Sequence, residues 1–150
     1  MKLKLPIIFI SSIYCLFLFT IGIADFYFER SKVKNADSLK YIDIALAFNS
    51  NDSEYYFRKF ELFDPKLQKP SAFLKNYQQR ISLITRAIDL EPTNPKYHMY
   101  YGLELVRDNS LRTRLNDRLA LIELRRAAEL KPFSPLYRKT LKDYSPSLQP

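Results

Sequence analysis

Tryptophan is absent from this sequence of 150 residues, which has only two glycines, one cysteine and one histidine. Each scarcity excludes a chemistry. Two glycines, Gly22 and Gly102, cannot build a glycine-rich phosphate cradle, and no phosphate loop or dinucleotide fingerprint is present. A lone cysteine, Cys15, forbids a disulfide within the chain and leaves the redox compartment unread. With His98 as the single histidine, a Cys/His zinc site within one chain is also excluded. There is no serine-nucleophile elbow and no histidine pair at metal spacing. The acidic residues are scattered among lysines and arginines. The reading is therefore of a chain with no catalytic residue, no cofactor and no metal. His98 lies among Tyr97, Tyr100 and Tyr101; a general base would need a partner and a pocket, so a helix residue at a packing interface is expected.

What is present is charge, aromatic rings and apolar surface. The formal net charge is +8, from 24 basic and 16 acidic residues, spread along the chain with a mild excess in its last third. Such a balance permits nucleic acid or anionic lipid as partners and demands neither. Eleven tyrosines and eleven phenylalanines carry the aromatic packing.

The N-terminus reads as a membrane segment. After Lys2 and Lys4 the chain is uncharged from Leu5 to Ala24, about 30 Å as a helix and enough to cross a bilayer core. Pro6 suits a first helical turn. Phe26, Tyr27 and Phe28 follow where an interfacial aromatic belt would lie. Residues 1–30 are thus expected to form a signal-anchor, with the bilayer contacted through residues 5–24. The rival is a cleaved signal peptide, because Gly22 and Ala24 are small residues two apart; against it, the apolar run exceeds the usual length. A lipoprotein signal is disfavoured by Tyr14 before Cys15. Positive charges flank the run almost equally, and the short N-terminal tail favours N-in, C-out. In a bacterium this gives a single-pass inner-membrane protein with a periplasmic domain. That location makes nucleic acid the poorest partner.

Residues 31–144 repeat. Ala45, Ala87 and Ala127 each precede a large apolar residue by three (Phe48, Leu90, Leu130) and a tyrosine by ten (Tyr55, Tyr97, Tyr137). Each segment reads as a helix end, a turn and a helix start. Pro92 stops one helix while Asn94 caps the next and Pro95 opens it; Pro132, Ser134 and Pro135 repeat the arrangement, and Asn51-Asp52-Ser53 does so without proline. Further breaks fall at Asp64-Pro65 to Lys69-Pro70 and at Asp108-Asn109-Ser110. Helical apolar spacing marks Leu83, Ile84, Ala87, Ile88 and Leu90, then Leu115, Leu119, Ile122, Leu124 and Ala127-Ala128. The predicted helices are 36–48, 54–63, 71–90, 95–107, 112–130 and 135–143, with a tail at 145–150 and no strand.

This spacing resembles the tetratricopeptide repeat (TPR), a helix–turn–helix unit. Gly102 takes the family's small position in a first helix, after Tyr101 and before Leu105; Ala120, Leu124, Ala127 and Pro132 match its second helix. The preceding unit keeps Ile84, Ala87 and Pro92 but has Arg80 at a position usually small, and Phe60 where glycine would sit. The repeats are also longer than the family's roughly 34 residues. The resemblance implies an all-α array of helical hairpins in a right-handed superhelix, with peptide or protein ligands. Gly102 is expected to face Ala120 or a neighbour, letting two helices approach.

Tyr100, and Tyr56 within Tyr55-Tyr56-Phe57, could line the concave face where such arrays hold peptides. Arg114, Arg118 and Arg125 share a helix face within an arginine-rich stretch that also holds Arg107, Arg112 and Arg126. A solvated face is the default for them, and a docking surface for an acidic partner or lipid headgroups is the functional alternative. The expected function is that of a non-catalytic, membrane-anchored scaffold, an accessory subunit of an envelope membrane complex that binds protein partners. A cleaved periplasmic binding module and an accessory protein of surface-polysaccharide assembly are the alternatives.

Overall fold

The computed structural model describes residues 4–33, 37–63, 73–107 and 112–145, with side chains described from Ile10 in the first stretch and from Lys75 in the third. The breaks expected at 64–70 and 108–110, Lys2, and nearly all of the tail at 145–150 lie outside the described residues. Within them the chain is all helical: α1 (Lys4–Lys32), α2 (Ser38–Phe48), α3 (Ser53–Leu62), α4 (Phe73–Leu90), α5 (Pro95–Leu105), α6 (Arg114–Leu130) and α7 (Pro135–Tyr144). The boundaries of α2–α7 agree with those predicted to within two residues, because local stop signals set them. Asn94 accepts a hydrogen bond from the Lys96 amide (3.1 Å) at the start of α5, and Asp52 accepts one from the Glu54 amide (2.9 Å) at the start of α3. Ser134 occupies the cap position of α7, but its side chain makes no capping hydrogen bond. The chain divides into two compact units, residues 1–62 and 63–150.

In the first unit, α1 runs unbroken, with Pro6 in its first turn. Ile10, Ile13, Tyr14, Leu16, Phe17, Leu18 and Phe19 are 49–66% exposed and point to all sides of the helix. From Ala24 onward the same helix becomes a packing element. Ala24 and Phe28 are buried with Ile42 and Ala45 of α2 and Tyr55 of α3. The Phe28 and Tyr55 rings stack at 4.7 Å, and the Tyr55 hydroxyl donates to the Asp25 carboxylate. Ser31 is fully buried; its hydroxyl donates to the Phe28 carbonyl (2.7 Å), and its own carbonyl accepts from Arg58 of α3 (2.7 Å). Lys59 of α3 pairs with Asp43 of α2 at 2.6 Å. The three aromatic residues expected at an interfacial belt differ in their surroundings. Phe26 is exposed beneath the Arg30 guanidinium, but Phe28 belongs to the core between α1, α2 and α3. Helical spacing turns Ala24, Phe28 and Ser31 to one side and Phe26 away from it.

In the second unit, α5 and α6 form a close hairpin around Met99, Leu105, Val106, Ala120, Leu124 and Ala127. Gly102 sits at the crossing, where an added Cβ would come within 2.9 Å of Leu124 Cγ and 3.0 Å of the Ala120 carbonyl oxygen. The missing side chain is what lets the helices meet, at the residue expected. Arg80 of α4 fills its unusual position with a buried ion pair. Its Nε and Nη2 donate to Glu104 of α5 at 2.7 and 2.8 Å, and Nη1 donates to the Phe63 carbonyl at 2.6 Å. On α7, Tyr137 and Leu141 pack against the hairpin, and Thr140 donates to the Leu136 carbonyl (2.9 Å).

Candidate functional site

The five residues predicted to contact a partner fall on three helices. Tyr56 lies half-buried on α3 in the first unit; Tyr100 on α5 and Arg114, Arg118 and Arg125 on α6 belong to the second. Tyr100 packs part of its ring against the α5–α6 core and leaves the rest accessible. The arginines lie on the opposite side of α6 from Ala120, Leu124 and Ala127, and all three are exposed. Thr113 caps this helix, accepting from the Asn116 amide at 3.1 Å, so the outer face begins on a fixed first turn.

Two residues of that face were expected elsewhere. Leu115 and Ile122 fit an apolar helical spacing, yet they are 64% and 57% exposed. At about 100° per residue they point with Arg118, on the far side from Leu124. The buried side of α6 is instead formed by Ala120, Leu124 and Ala127, with Leu119 and Leu121 packed beside them. The outer face is thus mixed, with guanidinium groups set among bare aliphatic side chains.

Three neighbouring arginines are engaged. Arg112 pairs with Asp117 at 2.6 Å, Arg107 with the buried Glu104 at 3.3 Å, and Arg126 with Glu129 at 3.8 Å. The guanidinium groups of Arg114, Arg118 and Arg125 have no hydrogen bond or ion pair among the described residues.

His98 is buried and held at both nitrogens. Nδ1 lies 2.6 Å from a Glu123 carboxylate oxygen on α6, and Nε2 lies 2.9 Å from the Pro92 carbonyl in the α4–α5 turn. It fastens three elements of the hairpin. Burial raises the Tyr101 hydroxyl above its ordinary range, and the Glu123 charge adds to this. Tyr77 of α4 is raised in the same way, by burial and then by Glu104 and Tyr101. Among the described residues, no group of three or more His, Cys, Asp or Glu could hold a metal ion. An open apolar cleft of about 870 Å³ runs beside α1, lined by Leu18, Phe19, Ile23 and Phe26 together with Phe48 of α2, with no charged side chain.

Sequence reasoning missed Glu104 and the exposure of Leu115 and Ile122. A carboxylate amid the apolar residues of α5 was the available signal for the first, because burial there requires a counter-charge.

No protein-family model and no curated protein matches the chain. Solved structures do. It is similar to the TPR domain of Arabidopsis OM64 (TM-score 0.64, 17% identity, covering 85% of this chain and 98% of that one). It is similar to the first TPR of Spaghetti (RPAP3) bound to the HSP90 peptide SRMEEVD (0.54, 15%, 88% and 92%). A third is the Yersinia enterocolitica type III secretion translocator chaperone SycD (0.50, 14%, 88% and 87%). At these identities the likeness is one of fold, and the fold of this chain is TPR-like.

Proposed function

We propose that this chain is a non-catalytic, membrane-anchored scaffold. Residues 5–24 cross the bilayer once, and the helical domain binds a partner protein as an accessory subunit of an envelope membrane complex. One observation carries the anchor. Between Ile10 and Phe19 the large side chains of Ile10, Ile13, Tyr14, Leu16, Phe17, Leu18 and Phe19 are bare on every side of α1, with no charge among them. A helix apolar all round requires lipid or protein cover. By length and composition α1 can cross a membrane; a signal sequence would meet the same test. What favours an uncleaved anchor is the next turn. Ala24 is completely buried against α2 and α3, so a cut after it would remove one residue of that core and leave Asp25, the acceptor of Tyr55, as the new terminus. The orientation we propose is N-in, which in a bacterium places the domain in the periplasm.

The scaffold reading is supported by the fold neighbours, one bound to an HSP90 peptide and another a chaperone of secretion translocators. In this chain Tyr100 and Tyr56 offer aromatic contact, and Arg114, Arg118 and Arg125 offer charge suited to an anionic surface. Alkaline carbonate extraction combined with the intact mass of the mature protein tests the anchor. Full-length mass in the membrane pellet is expected. A soluble product lacking residues 1–24 would establish the cleaved periplasmic module instead. Gentle-detergent pull-down of the full-length protein tests the scaffold: a stoichiometric partner lost on Tyr100→Ala is expected, and its retention would remove Tyr100 from the contact.

A further inference from the structure

We infer that the outer face of α6 rests on the anionic surface of the same bilayer that holds α1, an inference that depends on the anchor reading. The face is defined by geometry. At about 100° per residue, Arg114, Leu115, Arg118, Ile122 and Arg125 fall within one arc of about 100°. All five are exposed. The opposite side of α6 is already committed to Gly102 and the hairpin core, so no part of this arc is needed for the fold. Glu129 also falls on the arc, at its C-terminal end, where Arg126 lies 3.8 Å away.

Chemistry selects the occupant. The guanidinium groups of Arg114, Arg118 and Arg125 have no carboxylate partner among the described residues, whereas Arg80, Arg107, Arg112 and Arg126 each face one. Guanidinium donors match phosphate oxygens, and the aliphatic side chains between them suit the boundary of headgroups and acyl chains. Leu115 and Ile122 stand bare between the guanidinium groups, where acyl chains could cover them. Proximity supplies the rest. A covalent tether at α1 keeps the rest of the chain near the headgroups at high effective concentration. Basic residues within a Debye length of an anionic leaflet are drawn to it.

The absence of tryptophan makes the test direct, because Ile122→Trp introduces a single indole on the arc. The full-length protein is placed in nanodiscs of zwitterionic lipid, or of the same lipid with an added anionic fraction, each with brominated acyl chains. In anionic discs the indole emission is expected to shift to shorter wavelength and to be quenched by bromine. Both effects should be lost in zwitterionic discs, and lost when Arg114→Gln, Arg118→Gln and Arg125→Gln are combined at unchanged helicity. An indole that stays at its water-exposed emission in both discs overturns the inference. So does one protected only on adding an acidic peptide, which would give the face to a protein. Quenching equal in all discs and variants also overturns it, since the arginines would then not be responsible. A chain that fails to enter the disc refutes the anchor itself, which carbonate extraction reports separately.

Discussion

Gly102 has so little room that the ordinary advantage of alanine in a helix is reversed. A Cβ there would stand 2.9 Å from Leu124 Cγ and 3.0 Å from a backbone oxygen, and the second neighbour cannot turn away. Gly102→Ala gains about 1 kcal/mol in helix propensity, yet overpacking of this kind costs about 1–3 kcal/mol. We expect a net loss of stability with Ala and a much larger one with Leu, read as the midpoint of thermal unfolding. An unchanged midpoint for Gly102→Leu would mean that α5 and α6 do not cross there. The ion pair of Arg80 with Glu104 makes a second residue-scale prediction. Their side chains are 6% and 5% exposed, so Glu104→Ala leaves a buried guanidinium without its carboxylate. Breaking such a pair costs about 3–5 kcal/mol, whereas replacing both partners with apolar residues is often neutral. Arg80→Met with Glu104→Leu should therefore recover most of what Glu104→Ala loses, measured by denaturant unfolding. Gly102 was legible in the sequence because a glycine inside helical spacing has few explanations. Glu104 was not, since its partner lies on another helix and only the packing brings them together.

Between elements, the helix ends were legible and the helix faces only partly so. Proline, asparagine and aspartate act on their immediate neighbours, which is why Asn94 caps as expected and Asp52 supplies the acceptor within the Asn51-Asp52-Ser53 break. Which side of a helix is buried depends on what packs against it, and α6 shows the difference. Leu115 and Ile122 fit the apolar spacing but face outward, because the hairpin uses the strip of small residues opposite Gly102. The interfaces between helices also set a response to alkali. Burial raises the hydroxyls of Tyr77 and Tyr101, and at Tyr55 burial and the hydrogen bond to Asp25 do the same. A proton held more tightly in the folded state gives stability that is complete below the unfolded tyrosine value near 10. It is lost as pH rises toward the folded values. Denaturant midpoints should be flat up to about pH 10 and fall above it. The combination Tyr77→Phe with Tyr101→Phe should flatten that fall. A slope identical to the parent's would place these hydroxyls in water. His98 contributes differently, as a clamp. His98→Ala removes the ring whose two nitrogens face Glu123 and the Pro92 carbonyl, and a loss of about 1–3 kcal/mol in unfolding free energy is expected.

For the whole molecule, the all-helical repeat architecture was readable from the spacing of alanines and tyrosines, and its likeness to TPR structures agrees. The double use of α1 was not read. An uncharged run suggests lipid along its length, and the packed turn begins where that run ends; the spacing of Ala24, Phe28 and Ser31 was the trace left in the sequence. If α1 spans the membrane as proposed, the span and the first packed helix are one rigid rod without a linker. Rotation of the span about its axis must then turn the first unit with it, as a key turns with its shank. Inserting one alanine between Ile23 and Ala24 would rotate the span by about 100° and displace it by about 1.5 Å against the packed half. A protein held by its span alone in lipid would tolerate that change. A subunit whose span is keyed to a neighbour's would lose the complex while keeping its fold, and co-purification of the insertion variant distinguishes the two.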